Sequence, residues 1–290
     1  MEHVSWGTPV VFDLFLTGLG AGVLFLATAA DLFGGKRYQK ITRIGACIAP
    51  WLVILGMIFW VSSLGNPSRF WGFFFKKGPG LFMFNPNSAV SVGVWLRAIF
   101  VIISLCYAFL SLFGWVFSWG EKLRRHVGVG ALILAVLVMV YTGVFLASTS
   151  NLLWNTAFLP AVFSVSAVST GIAGVVLVLA LAHIYKRGVK PEPSIPKLEK
   201  INSWVIGLQL LIIILFLLSR IGSVPMKMIV GSGFGLLILW IAIVSLGLVV
   251  PLLFGINGKA RGPRTSLAVS ALVLLGGFFL RYVILIGGQI

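Results

Sequence analysis

Eight apolar runs, each about as long as a bilayer is thick, divide this sequence from end to end. They fall near residues 9–33, 41–64, 89–117, 127–147, 159–185, 201–219, 228–254 and 266–286. At about 1.5 Å of rise per residue, some 20 residues of helix cross about 30 Å of hydrocarbon. Inside lipid each backbone N–H and C=O needs a partner within its own segment, so each run is read as a helix. With 59% hydrophobic and 10% charged residues, the chain reads as an all-α integral membrane protein with eight transmembrane helices.

The net charge of +16 would suggest a polyanion partner in a soluble chain, but its distribution argues otherwise. Lys36, Arg37, Lys40, Arg43, Lys122, Arg124, Arg125, Lys186, Arg187, Lys190, Lys197, Lys200, Lys259, Arg261 and Arg264 occupy alternate connections, 15 basic residues on one side. The other side has five: Arg69, Lys76, Lys77, Arg220 and Lys227. This asymmetry is a topology signal, so membrane lipid and not nucleic acid is the expected surroundings. It predicts that both termini lie outside the cytoplasm, in agreement with an even helix number. Glu2 and His3, without Lys or Arg, precede an apolar run too long for a signal peptide. Ala27-Thr28-Ala29 is therefore not read as a cleavage site, and the first helix is expected to stay.

Asp13 interrupts the first run, and an acid at that depth normally faces a cavity, a partner or a proton path. Thr17 follows one turn later, and Gly18 and Gly22 let another helix come close. With the predicted topology, Asp13, Arg97, Tyr141, Arg281 and Arg220 all fall in the outer half. Asp13 is the only acid in that belt. One carboxylate among several guanidiniums need not form a single salt-bridge set, and the spare arginines suggest waters or an oxygen-rich ligand. Plainer roles compete: a structural ion pair for Asp13, an aromatic-belt position for Tyr141, and snorkelling for Arg220 and Arg281. At the opposite helix ends, Asp31 and His183 read as solvated interface groups.

Cys47 and Cys106 lie within apolar runs and read as small buried hydrophobes. No CxxC occurs, which argues against an iron–sulfur or zinc framework in this chain. Bis-histidine haem needs two facing histidines inside the bundle; His3, His126 and His183 lie outside it or at helix ends. No haem and no metal are expected. Among the connections, 65–88 is long and rich in Gly, Pro, Asn and Phe, and reads as an interfacial anchor, a lid or a docking surface. Residues 148–160, STSNLLWNTAFLP, carry no charge, and their amides can bond a ligand or close a turn. Pro191, Pro193 and Pro196 mark a linker between two four-helix halves. TGLGAGV at 17–23 and TGIAGVV at 170–176 hint at an internal repeat. These features fit a quinone-reactive redox subunit or a proton or solute transporter.

The motifs WGTPVVFDLFLTGLGAG (6–22), LGNPSRFWGFF (64–74), NPNSAVSVGVW (85–95), YTGVFLASTSNLLWNTAFLPAVFSVSAVSTG (141–171) and LRYVILIGGQ (280–289) resemble the NrfD/PsrC family. These are membrane subunits of polysulfide-reductase-like complexes of bacterial or archaeal cytoplasmic membranes. The resemblance spans almost the whole chain; residues 186–264 match only in general character. It implies two four-helix bundles, residues 1–190 with the outer quinone site and the start of the second half, and 191–290 with the remaining helices. It implies a quinone, of the menaquinone type, near the outer face, and a partner with four iron–sulfur clusters. A molybdenum catalytic subunit beyond that partner usually completes such a complex. Asp13 falls where the polysulfide reductase type has a histidine close to the quinone head group, and Tyr141 corresponds to the family's quinone-contacting tyrosine. Thr17, Trp154 and Asn155 complete the expected quinone surroundings, and Arg97, Arg281 and Arg220 the expected proton path. A quinone-independent proton translocator within a larger respiratory complex is the main alternative.

Overall fold

Proline and serine set several helix starts. Pro9, Pro196 and Pro263 sit in the first turn of their helices, where a missing N–H costs nothing. Ser88 caps another by accepting from the Ser91 N–H at 3.4 Å. In a computed structural model, which describes residues 6–75, 84–116, 119–149, 151–185, 193–221, 240–241, 243–256 and 262–289, these starts build an all-helical protein. The elements are α1 (Thr8–Gly34), α2 (Gln39–Ser62), α3 (Ala89–Phe113), α4 (Gly120–Ala147), α5 (Phe158–Tyr185) and α6 (Ile195–Arg220). Then come α7, a π-helical stretch Ile243–Val249 running into the α-helix Val250–Ile256, and α8 (Pro263–Gly287). Among the described residues seven helices are long and apolar enough to cross a membrane. The chain is an integral membrane protein.

The helix at 228–254 is described only from residue 240, and residues 228–239 lie outside the described region. Its described part is not the uniform α-helix that the apolar run predicts. In the π stretch Gly247 lies against Gly276 of α8, so closely that neither position has room for a Cβ. A π turn shifts the register of the residues after it and lets the backbones meet there.

α1 is the most enclosed span: 72% of its apolar window is buried, against 33% for α6. It packs on α2, α4, α5 and α8. Its crossing with α5 is a backbone contact, with Gly22 against the Ala167 carbonyl and Gly171 against Gly22. The two small-residue stretches, 17–23 and 170–176, thus touch each other. The described ends meet as well. The Trp6 N–H donates to Gln289 Oε1 at 2.6 Å, and Gln289 Nε2 donates to the Trp6 carbonyl at 3.0 Å. Both therefore lie at the same end of the bundle.

Three expectations change. Cys106 is exposed on α3 and Cys47 only half-buried, because each sits on a helix side turned away from the core. Asp31 is more than a solvated group, although it lines a cavity: Tyr107 donates to it at 3.0 Å and Arg124 pairs with it at 3.1 Å. Arg281 does not snorkel. It is fully buried, its guanidinium held between α1, α5 and α8 by Ser166, Gly277, Phe15 and Phe163.

Candidate functional site

Arg97 reaches from α3 to Asp13 on α1 through its side chain, near the end that holds Trp6 and Gln289. Arg97 Nη1 donates to both carboxylate oxygens of Asp13 at 2.7 Å, and the Thr17 hydroxyl donates to Oδ1 at 3.1 Å. Asp13 is 3% exposed and Arg97 4%. At such burial each charge is tolerated only because the other is there. Arg97 Nε donates to the Gly93 carbonyl at 3.2 Å, and the guanidinium lies 5.2 Å from the ring centroid of Trp60 on α2. That arrangement adds a cation–π attraction and fixes the fork on the acid.

Two glycines make the room. A Cβ on Gly56 would press on the Thr17 hydroxyl and on Asp13, and one on Gly93 would occupy the space of the Tyr141 hydroxyl. Tyr141 therefore lies against the same turn of α3 that holds Arg97. Its hydroxyl donates to the Ala89 carbonyl at 2.8 Å. A file of rings leads away from it: Tyr141 to Phe145 at 5.9 Å, Phe145 to Trp6 at 4.8 Å, and Trp6 to Trp154 at 6.1 Å. Trp154 is buried and donates to the Ile284 carbonyl at 2.8 Å. Asn155 is exposed beside it, its N–H bonded to the Asn151 carbonyl.

The other arginines lie apart from the ion pair. Arg281 donates from Nη1 to the Ser166 hydroxyl at 3.2 Å and to the Gly277 carbonyl at 2.9 Å. Its guanidinium is 5.7 Å from the Phe15 ring and 5.3 Å from the Phe163 ring, wedged between α1, α5 and α8. Nη2 points at Gly18, where a Cβ would come within 2.7 Å. Arg220 sits at the rim and donates to the Leu152 carbonyl at 3.0 Å. The structure brings together Asp13, Thr17, Arg97 and Tyr141; Trp154 joins through the aromatic file, and Asn155, Arg220 and Arg281 stand outside it.

Sequence reasoning misses Trp60, Gly56, Gly93, Trp6 and Asn151. Asn151 accepts the Leu153 N–H at 2.9 Å and donates to the Gly288 carbonyl, tying the 148–158 connection to α8. The 65–88 connection is anchored rather than loose over its described part. Its 3₁₀ turn Pro67–Phe73 sets Phe73 5.5 Å from Trp60, and Phe74 lies 5.3 Å from Trp95. Residues 76–83 lie outside the described region.

A family model described as polysulphide reductase, NrfD, matches residues 1–290. The chain belongs to the NrfD family. Protein NrfD of Escherichia coli is 28% identical over 310 residues, covering 100% of this chain and 96% of that protein. A polysulfide reductase polypeptide of Wolinella succinogenes is 27% identical, covering 99% of this chain and 95% of its own length. The Hdr-like menaquinol oxidoreductase integral membrane subunit of Archaeoglobus fulgidus is 27% identical over 185 residues, 63% of this chain and 42% of that subunit. By their names these relatives include membrane subunits of oxidoreductases. Among the described residues no group of three or more His, Cys, Asp or Glu is placed to hold a metal ion.

Proposed function

We propose that this chain is the quinone-reactive membrane subunit of a respiratory oxidoreductase. It exchanges electrons between membrane quinol, of the menaquinol type, and an iron–sulfur partner, with protons taken up or released at Asp13. A molybdenum-bearing catalytic subunit beyond the iron–sulfur partner completes the proposed complex. The observation that carries the reading is the buried Asp13–Arg97 pair next to Tyr141, with an aromatic file running from it. The menaquinol named for the archaeal relative supports the choice of ligand.

The residues fit a quinone head group. A quinone offers two carbonyl oxygens on a flat apolar ring and carries two electrons and two protons between its oxidised and reduced forms. Tyr141 supplies a hydroxyl for one oxygen; its present acceptor is only a backbone carbonyl. Among the described residues Asp13 Oδ2 accepts from Arg97 alone, so it retains acceptor capacity for a quinol hydroxyl. Thr17 and Arg97 orient that carboxylate, and Arg97 offsets its charge when it is ionised. A positioned carboxylate of this kind acts as a general base by accepting a proton at Oδ2 and returning it toward the surface. Trp6, Phe145 and Trp154 provide ring faces and exclude water. The proposed orientation puts this end, both termini included, outside the cytoplasm, in a bacterial or archaeal inner membrane. The eight helices are proposed as two four-helix bundles, with α1–α4 and the start of the second half in residues 1–190 and the remaining three helices in 191–290.

A second reading, proton translocation without quinone, is favoured by one observation. Asp31, paired with Arg124 and Tyr107, lies 18 residues from Asp13 on α1, five helical turns along one face. Turnover per assembled complex separates the two, with a quinol analogue as donor and an artificial acceptor. Asp13→Asn is expected to lower it by roughly 10²–10⁴-fold, and to lower the yield of complex as well because Arg97 is left without its buried partner. The purified wild-type chain is expected to quench the fluorescence of a bound quinol analogue. Near wild-type turnover in Asp13→Asn removes Asp13 from the mechanism, and absence of quenching favours the second reading.

A further inference from the structure

The end of the bundle opposite the Asp13 site holds a cavity of about 500 Å³ between the start of α2 and the start of α4. Lys122, Arg124 and Arg125 line it, together with the carboxylates of Asp31 and Glu121. Three cations against two carboxylates leave one net positive charge. Arg124 is committed to Asp31, and that pair is held in place by Tyr107 from α3. Lys122 and Arg125 are exposed, and neither belongs to the ion pairs formed by Arg97 and Arg124. Gln39 adds an amide on the α2 side. Gly35, at φ +64, turns the chain there without a side chain, with open space where a Cβ would stand.

The surroundings decide what such a cavity takes. Phe33 is 83% exposed and Trp119 56%, each on an element that borders the cavity, and Leu123 is exposed on the first turn of α4. Large apolar side chains left bare on a membrane protein face acyl chains, with Trp at the level of the headgroups. The cavity therefore opens beside lipid and not only toward water. It is also larger than a bare phosphate requires. Basic recesses between transmembrane helices suit lipid headgroups, and one net positive charge matches one phosphodiester.

We infer that this recess is a specific site for the phosphodiester headgroup of a monoanionic phospholipid, held by Lys122 and Arg125 over the fixed Asp31–Arg124–Tyr107 cluster. The acyl chains lie against the lipid-facing side of the helices beside Phe33 and Leu123. The site joins α1, α2, α3 and α4 from the basic end, independently of whatever binds near Asp13.

The test uses the purified full chain in detergent, with phosphatidylglycerol, phosphatidylcholine and inorganic phosphate as probes. Native mass spectrometry is expected to find one phosphatidylglycerol retained by the wild type and none of the phosphatidylcholine. Lys122→Gln/Arg125→Gln removes two cations and is expected to weaken that binding by about 30-fold. Both residues are exposed, so the variant folds; its unchanged melting temperature without lipid checks this. Lys197→Gln/Arg264→Gln removes the same charge from exposed positions elsewhere at that end and is expected to bind as the wild type does. An equal loss in both variants means diffuse surface attraction and overturns the site. Inorganic phosphate raising the melting temperature as much as phosphatidylglycerol overturns the lipid assignment. No retained phosphatidylglycerol overturns both.

Discussion

Arg97 holds the Asp13 carboxylate with one nitrogen, its own helix with another, and the Trp60 face with its plane. Arg97→Gln leaves a carboxylate buried with only Thr17 for company. We expect a stability loss of about 3–5 kcal/mol, the usual result of removing one partner of a buried pair. Asp13→Asn/Arg97→Gln removes both charges and is expected to recover most of it. Unfolding of the detergent-solubilised chain, measured for both single variants and the double, gives the coupling; strictly additive losses would mean that the pair is not energetically linked. Gly93→Ala is a second case. Its methyl group takes the place of the Tyr141 hydroxyl, so quinol-linked turnover is expected to fall in Gly93→Ala and in Tyr141→Phe alike, and a Gly93→Ala enzyme with unchanged turnover would exclude Tyr141 from the site. Asp13 and Arg97 are legible in the sequence because charges inside apolar runs are costly and rare. Trp60, Gly56 and Gly93 are not. Each matters through what faces it, and periodicity gives no register between helices.

Among the elements, α1 and α5 depend on each other most directly. Gly22 and Gly171 put backbone against backbone, so Gly171→Leu has no rotamer that avoids α1. Forced separation of these helices is expected to cost more than the usual figure of about 1–3 kcal/mol for an overpacked core, seen as a lower melting temperature and loss of the monodisperse peak in size-exclusion chromatography. Leu at Gly207, where a Cβ meets nothing within 4 Å, is the control and is expected to be silent. Helix number and most helix ends can be read from the sequence, since proline starts and apolar length are local properties. The apolar runs place the starts of α4 and α6 several residues late. GEKLRRH and IPKLEK are polar, yet they continue their helices; an apolar run stops at its last apolar residue, whereas backbone hydrogen bonding does not. The π stretch of α7 escapes for a different reason. It is set by the meeting of Gly247 and Gly276, two residues from different helices.

At the scale of the whole molecule, the proposed orientation makes a direct prediction. Ser68 and Lys197 are both exposed but belong to opposite ends, Ser68 in the connection after α2 and Lys197 in the first turn of α6. After Cys47 and Cys106 are replaced, a membrane-impermeant thiol reagent on intact cells is expected to label Ser68→Cys and not Lys197→Cys. The reverse pattern would turn the molecule over and move the Asp13 site to the cytoplasmic side. Ser194, nearby, is unsuited to this test because it is buried. The Asp13–Arg97 pair also carries a consequence in time. Its partners are 84 residues apart in the chain. At about 5–20 residues per second, Asp13 is made roughly 4–17 s before the arginine that neutralises it. During that interval a lone acid has to be kept from bare lipid, so α1 has reason to linger beside the insertion machinery until α3 emerges. The joining of Asp13 to Arg97, a side-chain link from the first helix to the third, then becomes the step that releases the growing bundle into the membrane.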